Sequence, residues 1–460
     1  MARKVARLVL LGFFLAGAGL PLSADRMGYP PSEFVARRQA LAARLKQGTV
    51  VLFGATMPSI AGRFRQDNDF FYFTGNEDVN AVMVMDAATA AAWLFLPTQT
   101  PGEIKSDGRN GLTEADAATR WGYVRIQPLG TLNEFLARRR TFGPQALWMR
   151  LSEADEVSQG RTNKAQNLAR RFGNPLVGGQ PSEDAFRVEA IRSRFPYFEL
   201  KDVVPEVDRM RVIKTPREIE ILTHNGRINA EAFRRAISIT RPGMFEYEIE
   251  AEAAHYLLKN GIQGNGFGAI VGSGANGNQL HYRTNGKRMA AGELVVMDYG
   301  GALDYEVIDI TRTWPVSGRF DELQLRAYRC ALEAGKAIIA LMRPGATRAQ
   351  TREAARAIYQ KYGFEGSSSA GHFVGMSVHD VGDSSLPFAA GMVIAVEPMV
   401  DLPEKQLHVR VEDSVLVTDG EPVVLTAWCP KEVDELLALL VPKAAERSAR
   451  LSQTVQRGIR

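Results

Sequence analysis

Only two cysteines, Cys330 and Cys429, stand among 460 residues. So sparse a set cannot staple a chain of this length, and the sequence leaves open whether the two pair. Histidine is nearly as rare, at six residues, so the position of each one carries information. Excess charge is also scarce: the formal net charge is +4, and it is not on the body of the chain. Arg3, Lys4 and Arg7 supply three positive charges and the segment from Lys443 to Arg460 a net four, which leaves the body at −3. A nucleic-acid binder would carry its positive excess on the fold, so that class is excluded. The basic tail, 442–460, reads as a solvated end. What is abundant is ordinary: 45% hydrophobic and 23% charged residues exclude a disordered or collagenous chain. The length gives room for roughly three domains of ~150 residues.

The N-terminus reads as an export signal. A basic stretch, MARKVAR, precedes the apolar run Leu8–Leu22, and Leu22-Ser23-Ala24 offers a small-residue exit. The run is short for a membrane span. We therefore expect a signal peptide at 1–24, a periplasmic or secreted protein, and no stable membrane anchor after cleavage. An uncleaved anchor is the alternative. No cysteine near the exit would accept a lipid.

From about Pro31 to Pro205, strand-length apolar runs (Thr49–Phe53, Ala81–Met85, Ala91–Leu96) alternate with helical patterns (Ser32–Leu45, Leu132–Arg140, Glu183–Phe195). Alternation of this kind predicts an α/β domain over residues 25–205. Pro101–Gly111, rich in turn formers, reads as a surface loop. Thr215-Pro216-Arg217-Glu218 reads as a helix start, with the helix running to about Ile239, and opens a second domain over 206–441. That domain holds a repeat: Arg241-Pro242-Gly243 and Arg343-Pro344-Gly345 each open a helix that ends 18 positions after the glycine. A duplicated half-domain would place a site in the cleft between its halves.

The chemistry lies in acids on apolar strands. ELVVMD (293–298) reads as a strand, a Tyr-Gly-Gly turn follows, and EVIDIT (306–311) returns, so that a hairpin would hold Asp298 and Asp309 together. GMVIAVE (391–397) is a strand ending in Glu397. LHVRVEDSVLVT (407–418) reads as one strand with His408, Arg410 and Glu412 on one face. Burying several carboxylates together is costly unless cations balance them, and two divalent ions would match four carboxylates. His372 and His379, seven apart in GHFVGMSVHDVGD, are expected on one face of an extended segment. An imidazole among oxygen ligands favours manganese, cobalt, iron or zinc over calcium.

The stretches MDYG, DITRTWPVSG, GHFVGMSVHDVG, GMVIAVEP and VRVED, with IVGSGANGNQLHYRTN, resemble the pita-bread metallopeptidases, most closely the Xaa-Pro aminopeptidase (aminopeptidase P) and prolidase branch. FRQDNDFFYFTG at Phe64–Gly75 resembles that branch's N-terminal domain. The resemblance covers about Pro31 to Val441. It implies an α/β N-terminal domain followed by an α+β pita-bread domain with an internal two-fold pseudo-repeat. It also implies two divalent metal ions, with Mn(2+) first and Co(2+) or Zn(2+) as alternatives. Asp298 would hold one ion, Asp309 and Glu412 would bridge both, and His372 and Glu397 would complete the second. His281 and His379 match substrate-side histidines, Arg410 matches an arginine supporting the site, and Glu397 is also the proton shuttle. No role transfers to His408. The implied activity is release of the N-terminal residue from peptides with proline second, by a homodimer or homotetramer. The alternatives are a prolidase acting on X-Pro dipeptides and a non-catalytic binding protein of the same fold. Two departures stand out: Ser368 replaces the histidine usual four positions before the ligand histidine, and the linker from Glu397 to Glu412 is short.

Overall fold

The structure is a computed structural model that describes residues 27–56, 63–142, 145–173, 181–366 and 368–440. The expected signal peptide at 1–24 and the basic tail at 442–460 lie outside the described residues. Among the described residues, no helix is long and apolar enough to cross a membrane.

The N-terminal domain runs α1 (Pro31–Leu45), β1 (Thr49–Phe53), α2 (Asn68–Thr74), β2 (Val82–Asp86), β3 (Ala92–Leu96), α3 (Pro101–Asp107), α4 (Ala117–Arg120), β4 (Arg125–Pro128) and α5 (Leu132–Phe142). It continues with β5 (Ala146–Met149), α6 (Arg161–Phe172), α7 (Glu183–Arg194), β6 (Glu199–Asp202) and α8 (Val204–Arg211). Among the described residues, its six strands form one mixed sheet in the order β4-β3-β2-β1-β5-β6. The period-two rule sorts the sheet's side chains. Val50, Leu52, Met83 and Met85 pack under α1, α2 and α8, while Val51, Val82 and Val84 pack under α5 and α7. The result is a helix–sheet–helix sandwich.

Two expectations change here. The segment at Pro101 is helical, because Thr100 and Glu103 form a reciprocal cap, Thr100 N to Glu103 Oε2 at 2.7 Å and Glu103 N to Thr100 Oγ1 at 3.2 Å. Those bonds, with proline at the first helical position, outweigh the turn-forming composition. Pro205 lies inside α8, whose Val207 and Met210 belong to the N-terminal core, so the chain passes to the second core between Arg211 and the next helix.

The C-terminal domain runs α9 (Pro216–Ile239), α10 (Glu246–Lys259), β7 (Gly264–Asn265), β8 (Ile270–Ser273), β9 (Leu294–Tyr299), β10 (Gly301–Leu303), β11 (Glu306–Val307), β12 (Ile310–Pro315) and α11 (Glu322–Ala340). It ends with α12 (Arg348–Tyr362), β13 (Val393–Val396), β14 (Met399–Leu402), β15 (Leu407–Arg410), β16 (Asp413–Leu416), β17 (Val423–Val424) and α13 (Val433–Leu440). Two helix pairs, α9 with α10 and α11 with α12, share one core with the strands. Cys330 and Cys429 are buried in that core as separate free thiols.

The pseudo-repeat is visible in the backbone. Gly243 N bonds Met289 O at 2.8 Å and Met289 N bonds Met244 O at 2.8 Å; in the second half Gly345 N bonds Phe388 O at 2.9 Å and Phe388 N bonds Ala346 O at 2.8 Å. Gly243 and Gly345 hold φ of 89° and 87°, a region that disfavours residues with a Cβ. The pattern then extends to the strands: MAAGELVVMD in one half matches FAAGMVIAVE in the other. Asp298 and Glu397 therefore occupy equivalent places six residues after Gly292 and Gly391. The halves meet where Thr311 and Glu412 form an antiparallel bridge.

The hairpin between Asp298 and Asp309 is not simple. β11 pairs with β10 in one sheet, whereas β12 pairs with β9 in another. The tight turn lies at Asp304 and Tyr305, with φ of 45° and 73°, and not at Tyr-Gly-Gly. Gly300 instead allows the chains to cross, since a Cβ there would lie 1.6 Å from Ile308 O. Likewise 407–418 divides into β15 and β16, which pair with β14 and β13. Asp309 and Glu412 both lie in these breaks between sheets.

Buried charge ties the domains together. Arg211 donates to Asp69, Asp155 and Asp380, and Lys214 to Asp380. Nearby, Glu306 is buried and accepts from Tyr29 Oη at 3.2 Å. Burial first, then Glu218 and Asp380, pushes its carboxyl up to about 8, with Lys214 and Arg37 opposing. A carboxyl raised from 4.5 to about 8 stabilises the fold fully below 4.5 and loses that contribution as pH climbs to about 8. Across that window, melting temperature should fall less steeply for Glu306→Gln than for the parent chain; parallel curves by circular dichroism would contradict this.

Candidate active site

Four acids and an imidazole converge at the junction of the two half-domains. Asp298, Asp309 and Glu412 are buried, and Glu397 is partly so. Asp309 is held from both sides of its own peptide by Ser414, whose Oγ accepts from Asp309 N at 3.1 Å and donates to Asp309 O at 2.9 Å. Thr311 donates from Oγ1 to Glu412 Oε2 at 2.6 Å and accepts from Arg410 Nε at 3.1 Å. Arg410 Nη2 donates to Asp298 Oδ2 at 2.5 Å. One hydroxyl thus links the two strands that carry the acids.

Each buried acid keeps one oxygen with no hydrogen-bond partner: Asp298 Oδ1, Asp309 Oδ1 and Glu412 Oε1. Buried carboxylate oxygens are ordinarily satisfied, so three orphans together mark a place that expects a cation. Ligand atoms of Asp309, His372 and Glu412 lie within 4.8 Å of one another. His372 Nε2 is 3.5 Å from Asp309 Oδ2 and 4.0 Å from Glu397 Oε1. Its Nδ1 lies 3.1 Å from Phe373 O, which leaves Nε2 as the nitrogen toward the acids. The donor set of oxygens with one imidazole fits a divalent ion of the manganese-to-zinc series.

The electrostatics agree with the geometry. Burial, then Glu412, Asp298 and Glu397, pushes the Asp309 carboxyl well above the usual range, against the pull of Arg410. Burial, then Glu397 and Asp298, does the same to Glu412. Arg410 neutralises Asp298, so the expected balance of four acids by cations alone is corrected: the protein itself supplies one positive charge.

The histidines meet by a different route from the one expected. An extended segment would turn residues seven apart to opposite faces. The loop instead folds back, with Asp380 N bonded to Phe373 O at 2.9 Å, and the rings of His372 and His379 stack at 4.0 Å and 14°. Burial, then His372 and His281, pulls the His379 imidazole down to about 4. His281 is exposed, on a loop that Glu246 organises by accepting from Ser273 N, Ser273 Oγ, Asn276, Tyr282 Oη and Lys287 N. His408 is buried, its Nδ1 2.7 Å from Asp401 Oδ1. Ser368 Oγ lies 2.9 Å from Tyr359 Oη, which also bonds the Met399 backbone.

An α/β domain ahead of a two-fold-repeated domain, with orphaned carboxylates and an imidazole at the repeat axis, defines a metal-dependent hydrolase. Comparison with known proteins makes the class specific. Residues 220–419 match metallopeptidase family M24, and residues 34–145 match the aminopeptidase P N-terminal domain. The chain is 30% identical over 454 residues to the Xaa-Pro aminopeptidase of Escherichia coli K12, spanning 89% of this chain and 97% of that one. It is 28% identical over 420 residues to human Xaa-Pro aminopeptidase 3, spanning 81% and 76%. The E. coli aminopeptidase P solved with the inhibitor Pro-Leu superposes with a TM-score of 0.76 at 27% identity, spanning 91% and 100%. The chain belongs to metallopeptidase family M24, in its aminopeptidase P branch, and is a metallo-aminopeptidase. Its fold is the α/β and pita-bread pair that the sequence resemblance implied.

Thr311 was not singled out from the sequence, although it shares a strand face with Asp309 by the two-residue period. Thr311→Val keeps the shape and removes the hydroxyl, leaving Glu412 and Arg410 each short of a partner. Urea unfolding of the metal-free protein should show a loss of about 1–3 kcal/mol. An unchanged midpoint would show that the hydroxyl does not link the strands.

Proposed function

We propose that this chain is an exported Xaa-Pro aminopeptidase using two divalent metal ions, manganese by preference. The observation that carries this reading is the set of three orphaned carboxylate oxygens gathered with the His372 imidazole. Asp298 would hold one ion, Asp309 and Glu412 both, and His372 with Glu397 the other. When bound, such ions supply Lewis acidity and a nucleophilic water near neutral pH.

The chain's own groups do the rest. Glu397, partly exposed beside His372, takes up a proton and returns it to the leaving amine. His379 and His281 hold the scissile carbonyl oxygen, and a neutral His379 does so as a hydrogen-bond donor. Arg410 fixes Asp298 directly and Glu412 through Thr311. The E. coli and human relatives, both Xaa-Pro aminopeptidases, support peptides with proline at the second position as substrate. The basic stretch and apolar run at the N-terminus support export to the periplasm or beyond. A homodimer or homotetramer is the assembly the resemblance favours.

The test is hydrolysis of X-Pro-Y tripeptides and X-Pro dipeptides with manganese, cobalt and zinc. Release of the first residue from the tripeptides is the expected result. Cleavage of dipeptides alone would replace this reading with a prolidase, and no cleavage with any ion would favour a binding protein. Asp309→Ala should keep the circular dichroism of the parent and lose more than about 100-fold in kcat/KM, since even partners outside a ligand set cost about 10- to 100-fold. Full activity in that variant would remove Asp309 from the ligand set.

A further inference from the structure

His379 belongs to the C-terminal domain, yet the side-chain partner of its Nδ1 comes from the other domain. Asn163, in the first turn of α6, places Nδ2 3.2 Å from His379 Nδ1. The same stretch of N-terminal domain grips the backbone around that histidine. Val378 N donates to Val157 O at 2.9 Å. A Cβ on Gly160 would lie 2.3 Å from His379 O, so only glycine permits this approach. On the far side Asp380 is held by Arg211 at 2.7 Å and Lys214 at 2.9 Å. Three consecutive residues, Val378 to Asp380, are thereby fixed by contacts with 157–163, Arg211 and Lys214.

A side-chain amide nitrogen is only a donor, so the imidazole nitrogen facing it must carry the lone pair. The ring proton then resides on Nε2. Stacking on His372 fixes the plane of the ring but not which nitrogen is protonated. The bond to Asn163 makes that choice. We propose that Asn163 is a positioning residue that holds His379 as its Nε2–H tautomer, so that the N-terminal domain completes the active site of its own chain. His379 then presents an N–H donor on the nitrogen away from Asn163. Its use toward a substrate carbonyl oxygen rests on the proposed hydrolysis, but the tautomer itself does not.

The experiment uses the full-length chain labelled with 15N-histidine, first stripped of metal. Two-bond 1H–15N correlation reads the tautomer, and His379→Ala assigns the signal. The parent should show His379 protonated at Nε2. Asn163→Ala should give a mixture, and the isosteric Asn163→Asp, which can only accept, should move the proton to Nδ1. With manganese and an X-Pro-Y tripeptide, Asn163→Ala should lower kcat about 10- to 100-fold with KM little changed, by analogy with partners that orient metal-ligating imidazoles. It should cost nothing further in a His379→Ala background. A parent protonated at Nδ1, a tautomer indifferent to both substitutions, or an undiminished penalty without His379 would each overturn the proposal. Absence of hydrolysis by the parent chain counts against the aminopeptidase reading alone, because the tautomer is measured without substrate or metal.

Discussion

The structure turns on carboxylates gathered where two half-domains meet. Asp298 and Asp309 come from the first half, Glu397 and Glu412 from the second, and the bridge between Thr311 and Glu412 joins the two. Each half carries one acid on or just past an apolar strand and one in a break between sheets. Brought together, they form a crevice in which ionised side chains repel and lose hydration. Arg410 pairs directly with Asp298 and opposes the upward shifts of Asp309 and Glu412 without cancelling them. The remaining imbalance persists in the protein itself, and divalent ions are the group that this donor set accommodates.

The duplication explains why the site lies at that junction. The pairs of backbone bonds at Gly243 and Met289 and at Gly345 and Phe388 repeat one local design, and Asp298 and Glu397 are its equivalent outputs. The two acids outside this equivalence, Asp309 and Glu412, lie where strands leave one sheet for another. Such breaks free a side chain from the strict alternation of a strand. They also place it between sheets, where residues from both halves can reach it. Beyond this axis, the buried network of Arg211, Lys214, Asp69, Asp155 and Asp380 fastens the N-terminal domain to the loop of His379. Breaking a buried pair of this kind leaves an uncompensated charge, so the network resists separation of the domains.

Much of this was legible in residue order. The strands at Thr49 and Ala92 follow from strand-length apolar runs, and the start of α9 follows from Thr215, Pro216 and Glu218, whose reciprocal cap forms in the structure. The acids were legible because ionisable groups on apolar strands are costly. The helix at Pro101 was hidden because its cap lies one residue before the turn-rich stretch that named it a loop. The sheet breaks at Asp309 and Glu412 were hidden because no glycine or proline marks them in the sequence and only the pairing partners change. Thr311, Ser414 and Asn163 were hidden for a related reason: their roles depend on contacts 101, 105 and 216 residues away along the chain. No local pattern records such distances.

The account stands on cations resolving the charge at the repeat axis. Its most direct measurement is anomalous X-ray scattering from crystals of the full-length chain grown with manganese. Two peaks flanked by Asp298, Asp309, His372, Glu397 and Glu412 are the predicted result. Density at this site explained entirely by water, with the acids turned onto lysine or arginine side chains, would contradict it.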